Sequence, residues 1–354
     1  MEKVFTSCAN CGPVSVYVKD GAVTRVRPLQ VPEEEYPEPW VIEANGREYS
    51  PPNAMSNGSP THSERNRLYS KDRILYPMKR ADFDPNGERN PQNRGKSGYV
   101  RISWEEAAGI VAGEIRRVQE TYGKHALTAI ASSHHNWGIV GYKFGPFGRF
   151  FNMLQYTPIC DNPDSWEGWF WGATHMFGYY WRLGNIEPND LFEDGIKHTE
   201  MIVFWSSDPS STRSSYAGQS SHLVRTWVKE KGIPTVSIDP FYNYTAAVLD
   251  SEWLPVYPGG DTALAAAIAY VWLDEDTYDK EYIAVHTYRF DAFEDYILGK
   301  EDGVPKTPEW AEPECGVPAR KIRALAREWA KKRVALAAGG RGGQGGRGAV
   351  RRRD

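Results

Sequence analysis

EMIVFWSSDPSSTRSSYAGQSSHLVRTWVKEKGIPTVSIDP, residues 200–240, decides the fold. Glu200–Trp205 is a short apolar run, the pattern of a parallel strand buried on both faces. A helix reads from about Tyr216 to Lys231, and Pro234–Ile238 supplies the next buried strand. Strand, helix and strand in this order make a βαβ unit. Downstream the alternation continues with helices near 261–273, 279–285 and 317–332, and a last strand at Val334–Ala338. Upstream, Ser103-Trp104-Glu105-Glu106 is a capping box that opens an amphipathic helix running to about Tyr122. Ala126–Ser132 reads as a strand.

The first fifty residues differ in style. Val14–Val18 alternates, Asp20-Gly21 turns, and Val23–Val26 returns; Val41–Glu43 and Arg47–Tyr49 flank Asn45-Gly46. Residues 51–99 are rich in Pro, Asn and Ser and read as a long irregular connection. The expected class is α/β, with Rossmann-like parallel-sheet domains and a small β-rich N-terminal region. The divisions expected are 1–50 (β-rich), 51–102 (extended connection), 103–200 (α/β, active site), 201–338 (Rossmann-like, dinucleotide) and 339–354 (a Gly/Arg-rich tail). In that tail a Gly-rich turn, Gly339–Gly346, follows a strand and no helix comes after it. It suits either a basic tail or a truncated or frame-shifted reading frame, and an α/β unit left open exposes a strand edge.

Composition excludes several classes. A net charge of −4 argues against a general nucleic-acid binder. No apolar run reaches the ~18 residues of a membrane span. The N-terminus shows neither a secretory nor a twin-arginine pattern, so a cytoplasmic location is expected. Four cysteines, Cys8, Cys11, Cys160 and Cys315, are too few for a disulfide framework.

The chemistry-bearing residues gather at strand ends. Ser206–Thr212 is a hydroxyl-rich loop after one strand, and Asp239 ends the next. In an open parallel sheet ligands bind beyond the carboxyl ends of the strands. Hydroxyls at a helix start suit a phosphate and a strand-end acid suits ribose, although simple helix capping explains the same residues. Pro258-Gly259-Gly260-Asp261 is a further loop leading into a helix. No G-x-G-x-x-G follows these two strands, which argues against an ordinary NAD site there. His134 and His135 follow a strand, as catalytic loops do, and a scaffold role suits either ring equally. Tyr142 could donate to a phenolate or pack in the core. Asp164, Ser165 and Trp166 could between them offer an oxygen ligand, a proton-transfer group and an aromatic wall, or form an aromatic-rich packed loop. Cys8-x-x-Cys11 lacks the further ligands that zinc or a cubane cluster needs and reads as a relic or a structural pair.

Together these motifs resemble the molybdopterin oxidoreductases of the dimethyl-sulfoxide-reductase family. VSIDPFYNYTAAVLDSEWLPVYPGGDTALAAAIAYVW (236–272) looks like the family's stretch for molybdopterin guanine dinucleotide; SKDRILYPMKR (70–80) and RISWEEAAGIVAGEI (101–115) are typical of it. MKRADFDPNGERNPQ (78–92), SSHHNWGIVGY (132–142), DNPDSWEGWFWG (161–172), RLGN (182–185) and EMIVFWSSDP (200–209) resemble the family's large subunits that transfer hydroxyl groups between polyhydroxybenzenes. The related resorcinol hydroxylases share much of this pattern.

The resemblance implies that Ser165 ligates molybdenum through its side-chain oxygen, a hard donor suited to a high-valent metal. It implies that His134 and Asp164 move protons, that Tyr142 hydrogen-bonds a substrate hydroxyl and that Trp166 lines the pocket. Ser206, Asp208, Asp239 and Asp261, with Gly259 beside the last, would hold the two molybdopterin guanine dinucleotides. A small iron–sulfur subunit is the implied partner, with no cluster in this chain, and anaerobic degradation of phenolics is the implied setting. The family's large subunits are far longer, so a C-terminal domain that closes over the cofactor is expected to be absent, and an inactive fragment is the alternative. An oxo-anion substrate would want Arg or Lys rather than the His134, Asp164 and Trp166 set.

Overall fold

Alternating side chains and two-residue turns build the N-terminal region. In the computed structural model, which describes residues 1–9, 12–54, 65–129, 145–159, 172, 174–176, 188–210 and 226–338, strand β1 (Lys3–Ala9) pairs antiparallel with β2 (Gly12–Lys19), and β2 with β3 (Ala22–Pro28). Asp20 and Gly21 both hold positive φ, 51° and 79°, as the tight hairpin turn requires. Asn45 and Gly46 repeat the device, at 53° and 72°, between β4 (Ile42–Ala44) and β5 (Arg47–Tyr49). Both hairpins match the sequence reading. Strand β1 was outside it, because Lys3–Ala9 has no period-two pattern and is held by its neighbour.

Contacts divide the chain into two units, residues 64–162 on one side and residues 1–63 with 163–354 on the other. Within 64–162, β6 (Met78–Arg80) pairs antiparallel with β7 (Tyr99–Arg101), inside the segment expected to be irregular. Helix α1 (Trp104–Tyr122) starts as the capping box predicts: Glu106 N–H donates to Ser103 Oγ at 3.0 Å. After a 3₁₀ turn at Lys124–Ala126, strand β8 (Thr128–Ala129) begins two residues later than the sequence suggested. Helix α2 (Pro146–Leu154) precedes β9 (Thr157–Pro158), which lies parallel to β8.

The larger unit resumes with α3 (Pro188–His198) and strand β10 (Met201–Trp205). Helical residues 226–231 lead to β11 (Thr235–Ile238), then α4 (Tyr244–Leu249) and β12 (Glu252–Leu254). Helices α5 (Asp261–Asp274), α6 (Lys280–His286), α7 (Phe290–Ile297), α8 (Pro308–Cys315) and α9 (Ala319–Trp329) follow, and β13 (Val334–Ala338) returns to the sheet. The order is β12-β11-β10-β13 and every pairing is parallel. This is the α/β parallel sheet expected from residues 200–240. Helices α3, α4, α7 and α8 and strand β12 were not in the sequence reading.

Strand β10 explains the two-sided core. Successive side chains point to opposite faces. Met201 and Val203 join Val236, Ile238, Leu254 and the buried sides of α5, α8 and α9. Ile202 and Phe204 join Val228 and Ile233 on the other face. Alanines on α5 let the backbones come close, and Gly260 at its start is where closeness is extreme: a Cβ there would lie 2.6 Å from Cys315 Cα. The β4–β5 hairpin closes a third cluster, in which Ile42, Ala44 and Tyr49 bury Ile196 and Trp227. Among the described residues, no helix is long and apolar enough to cross a membrane.

Candidate functional site

The parallel sheet brings Ser206, Asp208, Asp239, Gly259 and Asp261 to the region beyond the carboxyl ends of β10 and β11 and the start of α5. Each acid is held in a different way. Asp208 Oδ1 accepts from Thr245 N–H at 3.0 Å and lies 2.6 Å from the Thr245 hydroxyl, tying the loop after β10 to α4. Asp239 Oδ1 accepts from Phe241 N–H at 3.2 Å, and its Oδ2 from Asn243 Nδ2 at 3.1 Å. Asn243 in turn caps α4 by accepting from Ala246 N–H at 2.9 Å. The indole of Trp253 donates to the Asp239 carbonyl at 2.8 Å. Asp261 Oδ1 accepts from the Trp205 indole at 2.8 Å.

Two atoms differ from these. Asp261 Oδ2 and Ser206 Oγ are buried and have no hydrogen-bond partner among the described residues. Leaving a buried polar atom unsatisfied costs ~1–3 kcal/mol. Ser206 also sits at φ 49°, in the left-handed region, while its N–H donates to the Ile238 carbonyl at 2.8 Å. A non-glycine residue strained in this way at a strand end is a recurring mark of a ligand site. Asp261 occupies the first turn of α5, where the helix dipole favours a negative charge.

The electrostatics select among ligand groups. Burial pushes the Asp239 carboxyl above the ordinary carboxylate range, opposed by its bonds from Phe241 and Asn243, with Asp208 and Asp261 adding to the rise. Three acids in one region repel phosphate and favour N–H and O–H donors. The donor set therefore fits the hydroxyl- and amide-bearing parts of a nucleotide, with Asp261 Oδ2 as acceptor and Ser206 Oγ as donor or acceptor. Gly259 holds φ 88°, which turns the chain into α5. The sequence missed Asn243, Thr245 and Trp253 as supports of this region, because each acts through a partner distant in sequence or through backbone. It also missed Ser237, whose buried hydroxyl has no partner among the described residues and whose only signal is a polar residue inside an apolar strand.

The other expected site residues, His134, Tyr142, Asp164, Ser165 and Trp166, lie outside the described residues, as does Cys11. The strands that precede two of these segments are described. Strands β8 and β9 run side by side, with Thr128 opposite Thr157 and Ala129 opposite Pro158. Thr157 N–H donates to Leu127 O at 2.8 Å and Ile159 N–H to Ala129 O at 3.2 Å. The segment carrying His134 and the segment carrying Ser165 thus leave from the carboxyl ends of neighbouring parallel strands. Cys8 lies on β1 opposite Pro13, and Cys315 is a buried free thiol that accepts from Val317 N–H at 3.4 Å.

Residues 73–298 match the family model described as molybdopterin oxidoreductase, and residues 12–67 match the first domain of the pyrogallol hydroxytransferase large subunit-like model. The pyrogallol hydroxytransferase large subunit of Pelobacter acidigallici is 52% identical over 97% of this chain and 40% of its own length. Trimethylamine-N-oxide reductase of Haemophilus influenzae is 30% identical over 95% of this chain and 38% of its own. Among solved structures, acetylene hydratase from Pelobacter acetylenicus matches with a TM-score of 0.49 at 19% identity, over 94% of this chain and 40% of that one. The chain thus spans about two-fifths of the length of these relatives. With a family model matched across residues 73–298, the chain belongs to the molybdopterin oxidoreductases.

Proposed function

We propose that this chain is part of the large catalytic subunit of a molybdenum enzyme that transfers hydroxyl groups between polyhydroxybenzenes, of the pyrogallol-to-phloroglucinol type. The observation that carries the reading is the 52% identity to the pyrogallol hydroxytransferase large subunit across nearly the whole chain, against 30% to an N-oxide reductase over a similar span. The cofactor is molybdenum with two molybdopterin guanine dinucleotides, and the partner is a small iron–sulfur subunit in the cytoplasm.

When bound, the molybdenum cofactor supplies two-electron redox chemistry and a site for oxygen transfer, and the organic difficulty of the reaction lies with it. The protein binds, orients and protonates. Asp261 and Ser206 hold hydroxyl or amide groups of a dinucleotide through two buried oxygens that have no partner among the described residues. Asp208 and Asp239 shape the same region, Asp208 by tying the β10 loop to α4 and Asp239 by bonding the Asn243 that caps it. Gly259 gives the turn into α5.

In the catalytic segment Ser165 is the protein's ligand to the metal. His134 and Asp164 exchange protons with the ring hydroxyls, a task for groups that titrate near the working pH. Tyr142 would hydrogen-bond a substrate hydroxyl, and Trp166 would line the aromatic pocket.

The test is turnover by the protein isolated from its source. Pyrogallol conversion that requires 1,2,3,5-tetrahydroxybenzene as co-substrate is expected, with no external electron acceptor. Ser165→Ala should lower kcat by at least about a hundredfold, the scale expected for loss of a group acting directly on the reacting centre. Resorcinol oxidation that depends on an electron acceptor would replace this reading with the hydroxylase one. Absence of bound molybdenum would mark an inactive fragment.

A further inference from the structure

We propose that Trp205 is a positioning residue for the dinucleotide: its indole N–H holds Asp261 Oδ1 and thereby presents Asp261 Oδ2 to a ligand N–H or O–H donor. The inference rests on the reading of Asp261 as a cofactor-binding residue given above.

The donor is rigid. Trp205 is the last residue of β10, a central strand, and is paired on both sides, with Ile238 of β11 and Ala338 of β13. Its ring packs against the core cluster that contains Leu264 and Ile322, so the indole has little freedom to turn. The backbone of the acceptor is equally fixed. Tyr257 N–H donates to Cys315 O at 2.8 Å and Gly260 N–H to Tyr257 O at 2.8 Å, and a Cβ on Gly260 would already meet the Cys315 backbone. Asp261 is the first residue of α5, and Gly260 before it supplies no side-chain cap. A carboxylate at such a place can rotate onto amide groups of the helix's first turn. The 2.8 Å bond from Trp205 Nε1 holds it in another rotamer, with Oδ2 buried and without a partner among the described residues. The kind of donor matters as well. An indole has one N–H and no acceptor, so it occupies a single oxygen. It is also neutral, and the carboxylate keeps the charge that strengthens its bond to a ligand donor. A Lys or Arg in its place would hold the acid and neutralise it. Ser206, whose Oγ is likewise buried without a partner among the described residues, follows Trp205 directly, so one strand end sets both oxygens.

The test uses the protein isolated with its bound cofactor and the variants Trp205→Phe, Asp261→Ala and the two combined. Trp205→Phe keeps a ring in the core and removes the N–H. Pterin and molybdenum released on dialysis are followed over time. Trp205→Phe should release both about fivefold faster, the effect of one ordinary hydrogen bond, and Asp261→Ala about thirtyfold faster, the effect of a charged one. In the double variant the indole has nothing left to hold, so release should match that of Asp261→Ala within about twofold. A packing role would instead add its fivefold to the effect of Asp261→Ala, and such additivity would overturn the proposal. Trp205→Leu, which also lacks the N–H, takes the place of the Phe variant should that variant not fold. A crystal structure of Trp205→Phe gives a readout independent of cofactor loading: the Asp261 carboxylate should turn toward the amides of the first turn of α5, and an unmoved carboxylate would overturn the proposal. Unchanged release from Asp261→Ala would remove both the proposal and the reading of Asp261 on which it stands. Fast release from Asp261→Ala with wild-type release from Trp205→Phe would remove the positioning alone.

Discussion

Asp261 divides its carboxylate between two duties. One oxygen accepts from the Trp205 indole, and the other is buried without a partner among the described residues. Asp261→Asn keeps a carbonyl for Trp205, so thermal unfolding should shift little. The variant loses the charge that strengthens a hydrogen bond to a ligand donor, a loss of ~1.5–3 kcal/mol. Molybdenum and pterin content should therefore fall by about tenfold or more at limiting cofactor; full occupancy in the variant would remove Asp261 from the binding set. Asp239 gives a pH signature. Burial raises its carboxyl above the unfolded value, so the folded state binds this proton more tightly. The associated stability is complete below the unfolded value and is lost as pH rises through the folded one. Denaturant midpoints of Asp239→Asn should change less than those of the wild type as pH rises above the ordinary carboxylate range. An identical profile in both proteins would show that the carboxyl titrates as it does in the unfolded chain.

At the scale of the element, the start of α5 has no room for a side chain. A Cβ on Gly260 would meet the Cys315 backbone at 2.6 Å, and α8 cannot retreat without opening the core that Ala311 and Cys315 share with α5. Gly260→Ala should destabilise the protein by more than about 2 kcal/mol, measurable as a lower denaturant midpoint at unchanged slope. Helix α1 carries a different kind of support. Glu114 accepts from Arg89 at 2.5 Å and from Arg117 at 3.0 Å, and these bonds hold its carboxyl below the usual range. Its stability contribution is present above the unfolded value and disappears as pH falls through the folded one. These groups are partly exposed, so Glu114→Gln should cost at most about 1 kcal/mol at neutral pH and nothing at low pH. A cost that persists in acid would assign the effect to packing.

For the whole molecule, stability is concentrated around the parallel sheet. Ile322 is fully buried against α5 and the sheet, whereas Tyr99 on β7 is 60% exposed. Ile322→Ala should cost about 3 kcal/mol, and Tyr99→Ala less than about 0.5 kcal/mol, by urea unfolding of each variant. Equal costs would show that Tyr99 is held as firmly as Ile322 despite its exposure.

The sequence by itself determined whatever is local. Asp20-Gly21 and Asn45-Gly46 dictate their hairpins because both positions take positive φ. Ser103 and Glu106 dictate where α1 begins. The apolar runs of β10 and β11 announce a buried parallel sheet, and from that sheet the placement of Ser206 and Asp239 at strand ends could be read, with Asp261 at a helix start. Only the tertiary structure decided the rest. The pairings of β6 with β7 and of β8 with β9 join residues about twenty and thirty apart, and so short a ladder leaves no periodicity to detect. The difference between the bonded and unbonded oxygens of Asp261 depends on Trp205, which lies on a different element. A residue's type states which bonds it can make; which of them remain open for a ligand is settled by neighbours that the chain brings from far away.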